Sequence, residues 1–396
     1  MRWEMDRGAI KEPTDARPRT TFEQGPIRPP SEAGSLLLRF TRNCSWNKCT
    51  FCPIYKRHRF SRRSLEEIRN DIDAVCNIVE NLANLSCSLG FHGRMSPQVL
   101  NEVLTGAQHN ACVRHVAIWL ASGSGTVFIQ DANSLILPTS VLVEALVCLK
   151  ERVPGVRRIT SYARSSTVAR KSLEELKEIR SAGLDRIHIG MESGSNRVLK
   201  FVQKGATAAQ HIEAGRKVIE AGVTLSEYIM PGLGGREWST EHAIETAEVL
   251  NAIDPHYIRL RSLRIPPRSP LFEDKRKGRF MALHDDEVVR EIRLLVESLN
   301  GIHSTLTSDH IMNLLEEVQG VFPRDKAFML AVIDRYLALS PEDRLLFRLG
   351  RRGAGLRSLD DLDDPHLRGR LEAARRDLEA HGELEKVITE LGDQYI

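Results

Sequence analysis

No stretch of the 396-residue chain offers the roughly 20 uninterrupted apolar residues that a helix needs to cross a bilayer, so a membrane-spanning role is not expected. The N-terminus is polar and carries acids and prolines, which points away from a signal peptide and toward the cytoplasm. Net charge is only +3, too small to point to nucleic acid on its own. The cysteines number seven, an odd count without secretory context, so a disulfide framework is not expected and a reducing compartment is. Cys76, Cys87, Cys112 and Cys148 are scattered in helical or apolar surroundings and read as small buried hydrophobes.

The other three cysteines are gathered. Cys44, Cys49 and Cys52 form a Cys-x4-Cys-x2-Cys loop, which reads as a metal site with one ligand missing. A structural zinc wants four ligands, and His58 is available to complete a knuckle, whereas a cubane iron-sulfur cluster held by three cysteines keeps one iron open for chemistry. A cluster that only transfers electrons would want a fourth cysteine, and none lies nearby in the sequence. The run Lys56, Arg57, His58, Arg59, Arg62 and Arg63 directly follows the loop, either as a solvated face or as a guide for an anionic substrate or cofactor.

Around the loop a repeating unit is visible. Strands are expected at Ser35 to Phe40, Thr126 to Gln130, Arg158 to Tyr162, Arg186 to Met191, Thr224 to Met230 and His256 to Leu263, each an apolar or β-branched run. Helices start at Ser64, Ser172 and Thr207, where a hydroxyl is followed three residues on by Glu or Gln, and Gly183 and Gly222 stop two of them. Six βα units result, hence an α/β fold with a parallel sheet: a doubly wound sheet or a partial (β/α)6 TIM-like barrel, with ligands beyond the carboxyl ends of the strands. Cys44, Asp131, Asn133, Tyr162, Arg164, Glu192, Ser193, Pro231, Arg261 and Arg264 all follow or close those strands.

The expected divisions are an irregular N-terminal arm over 1–33, a core over 34–270, a helical extension over 271–347, and a linker with a C-terminal helix over 348–396. Residues 82–123 read as a connector with one extra helix near Pro97 to Gly106. The extension is expected to be helices only, including Asp309 to Glu317, with Ser308, Asp309 and His310 able to reach toward the barrel mouth.

The cysteine loop after strand one, with Phe51 before the last cysteine and six βα units behind it, resembles the radical S-adenosylmethionine (radical SAM) superfamily over about residues 34–265. The commonest spacing in that family has three residues between the first two cysteines, where this chain has four, Ser45 to Lys48. The resemblance implies a partial (β/α)6 barrel and two cofactors. One is a 4Fe-4S cluster on Cys44, Cys49 and Cys52; the other is S-adenosyl-L-methionine, chelating the fourth iron and cleaved to a 5′-deoxyadenosyl radical that abstracts hydrogen from a substrate. Phe51, Ile54 and Tyr55 correspond to the stretch near the adenine, and Pro231 to the strand-five turn that approaches it. Asp131 and Asn133 stand where relatives bind the methionyl amine, Arg164 suits the methionyl carboxylate, and Glu192 or Ser193 the ribose. Gly-Met-Glu-Ser-Gly-Ser at 190–195 resembles the subgroup of methylthiotransferases, the Elongator acetyltransferase subunit and oxygen-independent coproporphyrinogen oxidase.

No cobalamin-binding segment, second cysteine cluster or small β-barrel RNA-binding domain is recognisable, so a small organic or cofactor-like substrate is expected. A low-potential donor such as flavodoxin or ferredoxin would supply the electron. The alternatives are RNA modification, with Arg57, Arg59, Arg62 and Arg63 on phosphate, and a non-catalytic iron-sulfur or zinc scaffold.

Overall fold

The computed structural model describes residues 19–393. Six strands fall where the apolar runs place them: β1 (Leu36–Arg39), β4 (Thr126–Gln130), β5 (Arg158–Ala163), β6 (Leu184–Glu192), β7 (Thr224–Ile229) and β8 (Tyr257–Leu260). They pair in chain order, every pair parallel. Parallel strands covered on both faces need continuous apolar sequence, and these are buried along most of their length. Two more strands extend the sheet: β9 (Thr305–Thr307) runs parallel to β8, and β10 (Gly320–Val321) returns antiparallel to β9. The remaining pair, β2 (Thr41–Arg42) and β3 (Ser61–Arg62), forms a separate antiparallel ladder.

The sheet curls into a partial barrel. Phe128 of β4 and His188 of β6, two strands apart, bring their ring centroids to 6.3 Å, and Tyr162 of β5 and Tyr228 of β7 do the same. Helices wrap the outside: α1 (Leu65–Ser88), α2 (Pro97–Thr105), α3 (Ala111–Ser122), α4 (Thr139–Arg152), α5 (Ser165–Val168), α6 (Leu173–Ser181), α7 (Asn196–Phe201), α8 (Ala208–Glu220) and α9 (Gly235–Ile253). The capping boxes at Ser64, Ser172 and Thr207 are all formed, each satisfying backbone amides that a helix start leaves open. Gly183 and Gly222 end α6 and α8 at φ +118° and +75°, a conformation that a side chain would strain.

Several expectations are corrected. Residues 82–123 hold α3 as well as α2, capped by Asn110. The extension contains α10 (Pro270–Arg276), α11 (Asp285–Ser298), α12 (Lys326–Ala338) and α13 (Pro341–Arg352), but Asp309 to Glu317 is not helical, and β9 and β10 interrupt it. In that segment tertiary bonds take the place of a helix ladder: the buried Asn313 donates to Leu260 O at 2.8 Å and accepts from Ser262 N at 2.9 Å. The stretch from Arg348, read as linker, begins inside α13, where Arg351 and Arg352 are buried against Leu314 O and Met312 O. The last helix is two, α14 (Pro365–Ala380) and α15 (Leu384–Asp393), broken at Gly382 with φ +68°. Cys87 is exposed, and Cys76, Cys112 and Cys148 are only partly buried.

The described part of the arm is built into the barrel. Gly25 N donates to Gln130 Oε1 at the carboxyl end of β4, and Glu32 pairs with Arg158 at the amino end of β5. Glu32 is fully buried, accepts from Ser35 Oγ at 2.5 Å and lies 3.7 Å from His188 Nε2. Burial alone would raise its pKa, but His188, Ser35 and Arg158 outweigh it and hold the group at about 2 instead of 4.5. A depressed carboxylate stabilises the fold fully above the ordinary value and loses that contribution as pH falls through the folded one. Between pH 4.5 and about 2, wild type is therefore expected to lose on the order of 3 kcal/mol that Glu32→Gln does not lose, read from paired denaturant melts.

Candidate active site

The β2–β3 ladder clamps both ends of the cysteine loop, and side chains inside the loop fix its course. Asn43 and Asn47 take positive φ, 68° and 51°, which asparagine tolerates better than most residues. Asn43 Nδ2 donates to Arg59 O at 2.6 Å, and Asn47 Nδ2 to Tyr55 O at 2.5 Å. Lys56 Nζ reaches Asn47 O at 2.9 Å. The loop is tied to the barrel through Thr50 N to Val202 O (2.9 Å), Leu271 N to Thr50 O (2.9 Å) and Trp46 Nε1 to Gln203 O (2.7 Å).

All three thiols are free, with Cys49 buried and Cys44 and Cys52 partly so. Cys44 Sγ accepts from Asn47 N at 3.3 Å. Burial pushes the Cys52 thiol up, and the neighbouring Cys49 and Cys44 add to it. Among the described residues no group of three or more His, Cys, Asp or Glu is drawn together tightly enough to hold one metal ion. The thiols instead line one wall of a cavity of about 240 Å³ at the carboxyl ends of the strands. His58 is exposed and takes no part in that wall.

Lining the same cavity are Arg164 after β5, Glu192 at the end of β6, and Lys204 after α7. Lys204 Nζ bonds Glu192 Oε1 at 3.0 Å and stands 5.9 Å from the Phe51 ring centroid. Arg164 lies 5.3 Å from the Trp46 ring centroid and donates to Lys204 O at 2.6 Å. An ion pair, a cationic fork and the Phe51 ring thus share a cavity with three sulfur donors.

Residues 109–247 match the family model described as the Radical SAM superfamily, a span running from just before α3 into α9. Over that span the chain is similar to the radical SAM superfamily. Members of that superfamily use a 4Fe-4S cluster and S-adenosylmethionine. Among curated relatives it is similar to 4′-phospho-dehydrooxetanocin synthase of Priestia megaterium, 26% identical over 235 residues, covering 56% of this chain and 27% of that one. It is also similar to a tRNA uridine(34) acetyltransferase of Methanocaldococcus jannaschii, 21% identical over 121 residues and covering 30% of this chain and 22% of that one. A solved structure of a radical SAM methyltransferase from Kitasatospora setae, with cobalamin and a 4Fe-4S cluster bound, aligns with TM-score 0.40 at 14% identity, covering 86% of this chain and 60% of that one. The chain spans about a quarter of the length of the curated relatives it matches.

Within this partial barrel, Phe51, Ile54, Tyr55, Arg164 and Glu192 are on the cavity wall with the cysteines, whereas Asp131, Asn133, Ser193 and Pro231 are not. The reasons are physical. Asp131 is fully buried, with one oxygen ion-paired to Arg39 Nε and the other accepting from Tyr55 Oη at 2.8 Å. Asn133 donates to Ser45 Oγ at 3.0 Å and Thr167 Oγ1 at 2.9 Å, and accepts from Arg164 N at 3.1 Å. Both hold the cysteine loop instead of facing the cavity. Ser193 turns into the core, where its hydroxyl meets His242 Nδ1 at 2.8 Å. Pro231 has its carbonyl taken by Leu263 N at 2.8 Å.

Tyr162, Arg261 and His310 stand out in the sequence by place alone, with no role attached; the structure puts all three on the wall, together with Tyr228, Lys204 and Arg28. Burial, with Arg261 nearby, lowers the His310 pKa to about 4, so its ring is neutral near pH 7. Lys204 follows α7 in a turn with no periodic signal, and only its partner Glu192 hints at it.

The extension reaches this site through Glu291 of α11. Its carboxylate accepts from Gly232 N and Ser239 Oγ, both at 2.6 Å, bracing the turn after β7. His242 Nε2 meets Met230 O of the same turn at 3.2 Å. Glu291→Ala leaves a buried amide without an acceptor and is expected to cost about 1–3 kcal/mol in a denaturant melt. An unchanged midpoint would show that the brace contributes nothing.

Proposed function

We propose that this chain is a radical SAM enzyme that holds a 4Fe-4S cluster through Cys44, Cys49 and Cys52 and acts on a small organic or cofactor-like substrate inside the barrel mouth. The observation that carries this reading is the shared wall: three free thiols from one loop line a single cavity together with Arg164, Glu192 and Lys204. Three sulfur donors without a fourth protein ligand suit a cubane with one open iron. When bound and reduced, the cluster supplies the electron that cleaves S-adenosylmethionine to methionine and a 5′-deoxyadenosyl radical, which takes hydrogen from the substrate.

The protein's own groups position and shield. Arg164 offers its guanidinium fork to the methionyl carboxylate, with Trp46 stacking beneath it. Glu192, oriented by Lys204, accepts from the ribose hydroxyls, and Phe51 and Ile54 on the cysteine cavity's wall supply apolar contact for the adenine. Asn47 N donates to Cys44 Sγ, a bond that fixes the direction of one of the three sulfur donors. We take residues 34–270 as the catalytic core, with an external low-potential donor such as flavodoxin or ferredoxin, and place the reaction in the cytoplasm; no helix of the described residues is long and apolar enough to cross a membrane.

Arg164→Ala is expected to raise the apparent KM for S-adenosylmethionine by about tenfold or more, with cluster content unchanged. An unaltered KM would remove Arg164 from the carboxylate role. The assignment as a whole is tested by anaerobic reconstitution with iron and sulfide analysis. About four irons per chain and a brown chromophore are expected; a colourless zinc protein contradicts it.

A second reading, RNA modification, draws on the tRNA-acting relative and on Arg57, Arg59 and Arg62, which are exposed. Arg63 does not support it, being buried and paired with Asp71 at 2.6 Å. Salt-dependent tRNA binding that falls on charge reversal of the three exposed arginines would favour this alternative.

A further inference from the structure

A second cavity, of about 530 Å³, adjoins the cysteine cavity and shares Arg28, Phe51, Cys52, Ile54 and Arg261 with it. Its other charged wall residues are Arg264 and Arg268, and among the described residues no acidic side chain lines it. Arg264 is engaged by Asp285 at 3.4 Å. The guanidiniums of Arg28, Arg261 and Arg268 make no hydrogen bond or ion pair with any described residue, although other arginines of the chain are extensively paired. Like charges gathered around one enclosed space repel one another, and an anion that enters relieves the repulsion while gaining charge-assisted hydrogen bonds.

We infer that this cavity binds the phosphate group of the substrate, holding a small phosphate monoester or diphosphate with its remaining part toward the cysteine cavity. Rested on the radical reading above, this narrows the small organic substrate to a phosphorylated one. Charge count favours phosphate over carboxylate: three uncompensated guanidiniums match a group carrying about −1.5 to −2 and three acceptor oxygens better than a single negative charge. The methionyl carboxylate does not account for them, since the residue proposed for it, Arg164, lines the cysteine cavity and not this one. The volume also lies within the roughly 300–1,000 Å³ of small-molecule sites.

The test is calorimetric titration of the reconstituted full chain, with S-adenosylmethionine present and ionic strength fixed, using inorganic phosphate, pyrophosphate and succinate as probes. Saturable pyrophosphate binding is expected, weakened at least tenfold in Arg268→Glu and in Arg28→Glu, with succinate at least tenfold weaker than pyrophosphate. Both residues are exposed, and heat-unfolding midpoints of the ligand-free variants check that neither has lost its fold. Absence of saturable binding, affinity unchanged in both variants, or succinate binding as well as pyrophosphate overturns the assignment. Binding of an RNA oligonucleotide that pyrophosphate does not displace overturns it as well. Iron content of the same preparation separates the two levels: a full cluster without phosphate binding refutes the phosphate site alone, whereas an absent cluster refutes the radical reading and the substrate site with it.

Discussion

Cys49→Ala is expected to abolish deoxyadenosine formation and to leave the protein with little bound iron after anaerobic reconstitution, while its secondary structure stays near wild type. Of the three cysteines Cys49 is the most buried, packed with Phe51, Val198 and Met230. Removing its sulfur leaves two donors for a cubane that requires three, and no fourth cysteine lies on the cavity wall to substitute. The fold should tolerate the change, because the loop is held by Asn43, Asn47 and the β2–β3 ladder, none of which uses the thiol. Circular dichroism, iron analysis and chromatographic assay of deoxyadenosine check the three parts together. Normal iron content in this variant would mean that the cluster, if present, is bound elsewhere.

Asp131→Ala is expected to be the most destabilising substitution near the site, by about 3–5 kcal/mol, because it strips a mostly buried arginine of its partner. Arg39 is 12% exposed and Asp131 fully buried, and Tyr55 Oη loses its acceptor in the same change. Arg39 keeps Glu23 at 2.8 Å, which places the loss toward the lower end of that range. Asp131→Asn should also destabilise, since it removes the charge that faces Arg39. These variants separate two roles for the residue. A carboxylate that bound the methionyl amine would, when replaced by Asn, raise the KM for S-adenosylmethionine and leave the melt unchanged. A loop anchor would lower the melt and the reconstituted iron content together, and the buried ion pair predicts the latter.

Asp131 also illustrates where sequence reading stops. Its position after β4 follows from the βα rhythm, but whether its carboxylate faces a ligand depends on Arg39 and Tyr55, which are 92 and 76 residues away in sequence. The same holds for Ser193, whose partner His242 is 49 residues on. Cys44, Cys49, Cys52, Phe51 and Ile54 were legible because one loop carries all of them, so local spacing determines their grouping. Strand positions were legible because a parallel sheet demands continuous apolar runs. The segment at 309–317 misled for the opposite reason: its Met312, Leu314 and Leu315 have helical spacing, yet buried tertiary bonds from Asn313 compete with the helix ladder and win. Lys204, Arg28 and the unpaired arginines of the second cavity emerge only when distant segments meet.

The central claim is that the three-cysteine loop holds a cluster able to cleave S-adenosylmethionine. Its most direct measurement is the anaerobic incubation of reconstituted wild-type protein with S-adenosylmethionine and dithionite, with deoxyadenosine and methionine quantified over time. Formation of both in equal amounts, dependent on the reductant and absent in Cys49→Ala, is the predicted result. A fully loaded, reduced protein that yields neither product would contradict the account.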